Sequence, residues 1–503
     1  MRTAHSAPPH DTAAPARSPG PGTLAVTGIA TALALMNYTA PMLTLPATAE
    51  AFGTPSSAQA WLLNGTPLGL AALLLVAGAL ADAHGRRRVF LLGTLALGVT
   101  TALGAFAGST ALFTAARIAQ GAASAAVLAG SLGLLADAYP SGRDRIRATG
   151  IWGASVSGGI ALGPLVTGAL SLLDWRLAYA TLGAATALTA AVGARTLTGP
   201  ARPAEGRTPT DPARPAEAPT PAPPARPAEA RTPAPPARPA DQPTGRTHPD
   251  LAGATTLALA MAALLTALTL GRDGWLRPVI GVLLLAAAAL TALFLLVERR
   301  AAQPMIDLGL LRRPEFRVAA LGALFTGLAV IGLFSVVPAL LQRGAGMAPL
   351  ATAWLFVLWS GTSFVVALQA RRLAGRISAP YQLALGFVLS AAGVLALLGA
   401  LDSPALPWPR LITGLVVAGA GSGLLNAALP RLAVDSVPPE RAAMGSGANN
   451  TARYLGSAAG VALMLALSAA GPDAAVTAAA ALALAGAGLT VAGSPRRRAG
   501  SGR

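Results

Sequence analysis

Long apolar stretches recur along this chain from residue 23 to residue 493, and they constrain its fold more than any other feature. They fall at 23–45, 60–81, 89–108, 111–136, 147–171, 175–196, 251–270, 277–297, 317–341, 349–370, 380–401, 409–433, 443–468 and 474–493. About twenty apolar residues in a helix span the hydrocarbon core of a bilayer. Lipid offers the backbone no hydrogen bonds, so such a stretch must satisfy its own peptide groups as a helix. Only 11% of the 503 residues are charged, against about 25% in a soluble domain. Too few polar groups remain to coat water-facing surfaces. The expected class is an all-α membrane protein of fourteen spans.

Arginine placement sets the orientation. The formal charge is +17 and every basic residue is arginine. With both termini in the cytoplasm, Arg86–Arg88, Arg143, Arg145, Arg147, Arg299, Arg300, Arg312, Arg313, Arg371, Arg372, Arg376, Arg431, Arg441 and the tail 496–498 fall inside. Arg176, Arg272, Arg277, Arg343 and Arg410 fall outside. This is the positive-inside bias, and it persists in both halves. A basic balance that flanks apolar runs points to the membrane and not to nucleic acid. The first run is too long for the core of a cleaved signal and reads as a retained helix. An inner (plasma) membrane location follows, with the protein expected as a monomer.

The expected organisation is a disordered tail at 1–22, a six-helix bundle at 23–196, a linker at 197–250, a two-helix hairpin at 251–297, a second six-helix bundle at 298–493 and a basic tail at 494–503. Within the linker a twelve-residue unit opening Ala-Arg-Pro-Ala recurs at Ala201, Ala213, Ala225 and Ala237. Lacking sizeable apolar residues, it cannot bury a core. It reads as a cytoplasmic connector, with a docking site for a proline-binding partner as the alternative. Two six-helix halves suggest parallel repeats with a substrate site between them near the midplane.

Five groups of residues carry chemistry. Between the second and third runs stands Gly78-Ala-Leu-Ala-Asp82-Ala-His-Gly85-Arg86-Arg87-Arg88. Gly78 would let helices approach and Gly85 would permit a tight turn. Asp82 at a helix end can pair with arginine or with a helix N-terminus, a latch that breaks when the cytoplasmic side opens. In the fourth run, Arg117, Gln120 and Gly121 share one helical face. In the fifth, Gly159 and Gly163 form a small-xxx-small face, Pro164 bends the helix and Gly168 follows. In the thirteenth, Asn449 and Asn450 lie four and three residues before Arg453, so amides and guanidinium share a face. Arg453 stands about ten residues into its span and must face protein or a cavity. Finally, Asn37-Tyr38-Thr39 and Pro46 mark the first run. Cysteine is absent and the histidines lie outside the apolar runs, so neither a metal site nor a cofactor is expected.

These motifs together resemble the major facilitator superfamily, and specifically its fourteen-helix drug:proton antiporter branch. The loop 78–88 is similar to the family's signature loop, Arg117-x-x-Gln120-Gly121 to its helix-four motif, and Gly159 to Gly168 to the antiporter motif of its exporters, with Ala169 replacing a closing glycine. Glu298-Arg-Arg, Pro304-Met-Ile-Asp307 and Phe316 resemble the branch's connector, and Gln59 and Trp61 its entry to helix two. The resemblance implies alternating-access export of drugs or hydrophobic secondary metabolites, a proton as coupling partner, and a role for Arg117 in coupling. One position departs. Where the branch carries an aspartate in helix one, this chain has Asn37, which cannot titrate. No acidic residue lies in the middle of a span; Glu50, Asp82, Asp137 and Glu298 lie at span ends. A carrier for an anionic metabolite, without proton coupling, is therefore the alternative. A sensor would need a folded soluble domain, and an enzyme a nucleophile or carboxylate pair, and the sequence shows neither. Arg453→Ala and Asp82→Asn are each expected to abolish transport without preventing insertion.

Overall fold

In the computed structural model the apolar runs are helices, and helix ends fall where the sequence changes character. The structure describes residues 21–139, 142–197, 251–270, 276–300, 308–373, 376–403, 405–438 and 442–493. The tail 1–20, the repeats of 198–250, the connector around Asp307 and the basic tail from 494 lie outside the described residues. The helices are α1 (Pro21–Ala51), α2 (Gln59–His84), α3 (Arg86–Ala105), α4 (Thr110–Ala138), α5 (Gly142–Leu170), α6 (Trp175–Thr196), α7 (Leu251–Leu270) and α8 (Pro278–Arg300). They continue with α9 (Pro314–Gly344), α10 (Pro349–Leu373), α11 (Ala379–Leu395), α12 (Trp408–Asp435), α13 (Ala442–Ser468) and α14 (Pro472–Gly493). Helix α1 already begins at Pro21, two residues inside the expected tail.

Ten of these helices are long and apolar enough to cross a membrane. The other four are α2, α7, α11 and α13; α11 has 17 residues, and α13 carries two asparagines and an arginine. The joints follow local rules. Ser109 accepts from the Leu112 amide and caps α4, and Asp174 accepts from the Arg176 amide and caps α6. Gly85 turns the chain between α2 and α3 at φ +96°, a conformation open to glycine and rarely to other residues.

The packing repeats itself. In the first half α1 lies on α5, α2 on α4, and α3 on both α4 and α6. In the second half α9 lies on α13, α10 on α12, and α11 on both α12 and α14. The same four pairings thus recur at corresponding positions, as a duplicated six-helix unit requires. Helices α7 and α8 pack on each other as a hairpin, with α7 against α2 and α13. The halves meet where α2 touches α13, α5 touches α10, and α1 touches α9.

Small residues let these helices come close. A Cβ on Gly163 would collide with Thr39 and Met36 of α1, and one on Gly159 with the Ala32 backbone. In the second half Gly456 meets the backbone of Leu324, and Gly327 that of Arg453. There α9 departs from α-geometry, with a π-helical turn over Thr326–Ile331. Nothing in the hydropathy pattern signals this turn. Such turns are inserted residues that widen a helix and often sit at functional sites.

Candidate functional site

The two halves enclose a cavity bordered by α1, α5, α9, α10, α12 and α13. It contains about 830 Å³ of space between atoms, its mouth included, of which about 90 Å³ is open to the centres of water-sized molecules. Its wall combines Tyr38, Phe334, Phe356, Trp359, Phe364 and Tyr454 with hydroxyls of Ser157, Ser335, Ser360, Ser363 and Ser422 and the amide of Asn426. Among the described lining residues, Arg453 alone is charged.

Helix α13 positions Arg453. Its Nη2 donates to Asn450 Oδ1 at 3.0 Å, one turn earlier, and its guanidinium carbon lies 5.2 Å from the centroid of the Tyr454 ring. Its Nε is buried with no acceptor. Asn449, on the adjacent face, is buried in protein and does not border the cavity. Tyr38 of α1 reaches across to α13, its hydroxyl 3.0 Å from Ser457 Oγ and its ring 5.8 Å from Tyr454. Trp359 stacks on Phe334 at 4.3 Å with its other neighbour, Phe356, edge-on at 5.1 Å. Its indole nitrogen is also buried without an acceptor.

Arg117 is placed differently. It is wholly buried and does not border the cavity. Nη1 donates to Gln120 Oε1 at 2.5 Å, and Gln120 Nε2 donates to the Thr100 carbonyl at 3.2 Å. The guanidinium lies 5.9 Å from the Tyr179 ring, whose hydroxyl meets Thr44 at 2.9 Å. Tyr179 in turn stands edge-on to Phe113 and Trp175. An escape of Arg117 to the membrane surface is thus not used. Asn37 is equally enclosed; Nδ2 donates to the Leu33 carbonyl at 3.1 Å, and Oδ1 has no donor.

The signature loop lies at the arginine-rich end. Arg86 Nη1 meets Asp137 Oδ1 at 2.5 Å and the Gly133 carbonyl at 3.2 Å, tying α3 to α4. Arg87 donates to the carbonyls of Leu197 and Ala194 at the end of α6, at 2.7 and 2.9 Å. The Asp82 side chain lies outside the described residues. Gly78 corrects an expectation: a Cβ there would meet nothing within 4 Å, so no close helix contact is made at that glycine. The antiporter motif divides its work. Gly159 and Gly163 seat α5 on α1, while Gly168 lies against Pro349 and Ala353 of α10, in the other half. Pro164 is buried in α5 between these contacts.

Further bonds between the halves lie at the arginine-poor end. Gln342 Nε2 donates to the Leu43 carbonyl at 3.1 Å, Arg343 Nη1 to Gln59 Oε1 at 2.9 Å, and Asn64 Nδ2 to the Ala458 carbonyl at 2.9 Å. These bonds tie the halves together at that end, and the cavity-lining residues lie along the helices between it and the arginine-rich end. The sequence reading missed Trp359, the serines of α9 and α10, and Asn426. Asn426 had a usable signal, a primary amide inside an apolar run. The serines had none, because hydroxyls are common in spans and usually bond their own helix, as Ser335 does to the Ile331 carbonyl.

Comparison with known proteins accords with this arrangement. The Major Facilitator Superfamily family model matches residues 27–461. Puromycin resistance protein pur8 of Streptomyces alboniger is 29% identical over 440 residues, covering 86% of this chain and 78% of the relative. Multidrug resistance protein Stp of Mycobacterium tuberculosis (strain CDC 1551 / Oshkosh) is 28% identical over 446 residues, covering 88% and 74%. The cephamycin export protein CmcT of Amycolatopsis lactamdurans is 29% identical over 447 residues, covering 85% and 80%. Among solved structures, a bacterial homolog of the human lysosomal transporter Spinster shares the fold at a TM-score of 0.63 and 14% identity, covering 95% of this chain and 97% of that one. The peptide transporter POT does so at a TM-score of 0.63 and 16% identity, covering 93% of each chain.

Proposed function

The chain belongs to the major facilitator superfamily, and from that premise we propose that it exports drugs or hydrophobic secondary metabolites by alternating access. It is a multi-pass membrane transporter and not an enzyme. One observation carries the export reading: an aromatic-walled cavity lies between two repeated helix bundles, with hydrogen bonds between the bundles at the arginine-poor end. The relatives named for puromycin resistance, multidrug resistance and cephamycin export support the same reading.

The arginine-rich loops support a reading in which the arginine-rich end lies in the cytoplasm of a plasma membrane, with both termini inside. On that orientation the bonded end faces outward, which supports reading the structure as an inward-facing state. The functional unit is one chain with fourteen crossings, two six-helix domains and a hairpin between them. Transport requires the Gln59–Arg343 and Leu43–Gln342 bonds to break as the outer side opens. The Arg86–Asp137 pair, with Arg87 on the end of α6, holds the first domain together as it rocks.

Proton coupling is the mode that the family resemblance carries. A second reading, charge-driven export without a proton, is favoured by a specific observation: no carboxylate is among the described lining residues, and Asn37 stands where the related branch has an acid. Everted vesicles loaded with a panel of hydrophobic compounds test both. Accumulation that disappears in vesicles lacking the protein supports export. Accumulation that collapses with the proton gradient supports coupling, and accumulation that follows the electrical potential alone supports the second mode. An unchanged panel with and without the protein would retire the export reading.

A further inference from the structure

The charge inside the cavity says which cargo the protein takes. Resting on the export reading above, we propose that the cavity binds a planar aromatic acid as its anion, with the negative group on Arg453 and the ring among Phe334, Phe356 and Trp359.

The first argument is electrostatic. A guanidinium at membrane depth is costly unless something compensates it. Arg453 has a neutral amide, Asn450, and a ring face, Tyr454, but no ion pair with a carboxylate among the described residues. The ion pair that the described residues do form, Arg86 with Asp137, lies at the exposed end of the bundle. Arg453 borders the cavity, so a bound anion can supply the missing charge. Arg117, also without an ion pair among the described residues, is enclosed and cannot.

The second argument is hydrogen-bond polarity. Two lining residues have a buried side-chain atom with no partner, Arg453 at Nε and Trp359 at Nε1. Both groups are donors that cannot accept. A ligand rich in acceptors completes them as the wall adjusts around it, whereas a ligand cation adds positive charge to a site already positive.

The third argument is shape. Aromatic walls can hold a cation when an open ring face is presented to it. Here one face of Trp359 is covered by Phe334, stacked at 10°. Phe334 and Trp359 instead form a parallel apolar stack, flanked edge-on by Phe356, that a planar aromatic body can extend.

The test uses fluorescein and rhodamine 123, which share a xanthene core and differ in charge, with purified full-length protein in proteoliposomes. Wild-type protein should carry fluorescein saturably and rhodamine 123 far more slowly. Arg453→Gln should lower fluorescein transport about ten- to a hundredfold, the worth of one charge-assisted hydrogen bond. Arg453→Lys, which keeps the charge, should retain a measurable part of it. Rhodamine 123 carried as well as fluorescein, or an Arg453→Gln variant that loses both dyes equally, would overturn the proposal and leave export standing. So would immobile fluorescein in vesicles that export another compound. Export of no compound at all would instead sink the underlying reading.

Discussion

Each half of the molecule buries an arginine in a span, and the two are used in opposite ways. Arg117 and Arg453 each bond an amide three residues away on the same helix, Gln120 in α4 and Asn450 in α13. Beyond that shared feature they part. Around Arg117 the second neighbours are Tyr179, Phe113 and Thr44, and the side chain is sealed. Around Arg453 the neighbours are the Tyr454 ring and the open cavity. A buried charge can thus serve as a cross-brace or as a receptor, depending on whether protein or ligand completes its shell.

The strongest way to break this comparison is to remove the brace. Arg117→Ala would leave Gln120 Oε1 without its donor and a cavity beneath Tyr179, at a cost of about 2–4 kcal/mol. Folded yield in detergent should drop sharply, whereas Arg453→Ala should purify at wild-type yield and fail in transport. Equal yields for the two variants would show that the brace is not structural. Next in size is the Arg453→Gln loss of anion transport described above, read with yield as a control.

Trp359→Phe sharpens the receptor side. It keeps the ring stack on Phe334 and deletes one unpaired donor, so KM for an aromatic anion should rise about three- to tenfold, the net value of a single hydrogen bond. A KM that stays put would mean the indole nitrogen never meets cargo. The smallest effect is expected at the outer closure. Arg343→Gln removes the bond to Gln59, and loss of one exposed bond shifts the inward–outward balance by about threefold. Because the chain has no cysteine, a single Ser335→Cys reporter can be labelled without background by an impermeant maleimide. Faster labelling from outside in the Arg343→Gln background is the expected sign.

Much of this was visible beforehand, for reasons that differ by residue. The pairing of Arg453 with Asn450 follows from helical periodicity alone, as does the shared face of Arg117 and Gln120. Gly163 and Gly159 were read as contact glycines, and they touch α1. Gly78 was read the same way and touches nothing. Glycine permits close approach without requiring it, and a neighbour must be brought there by the rest of the fold. The side chain of the expected latch residue, Asp82, lies outside the described residues; among those described, Arg86 pairs with Asp137, 51 residues apart. Both acids stand at helix ends with equal promise in the sequence.

By itself the sequence determined the apolar helices, the turn at Gly85 and the amide beside each buried arginine. All of these depend on hydropathy and on geometry within one helix, where neighbours are set by residue spacing. Only the tertiary structure decided that Arg453 borders a cavity while Arg117 does not, that α9 takes a π turn over Thr326–Ile331, and that Tyr38 meets Ser457, 419 positions away. Those outcomes depend on which helix from the other half covers a given face, and no local pattern in the chain encodes that choice.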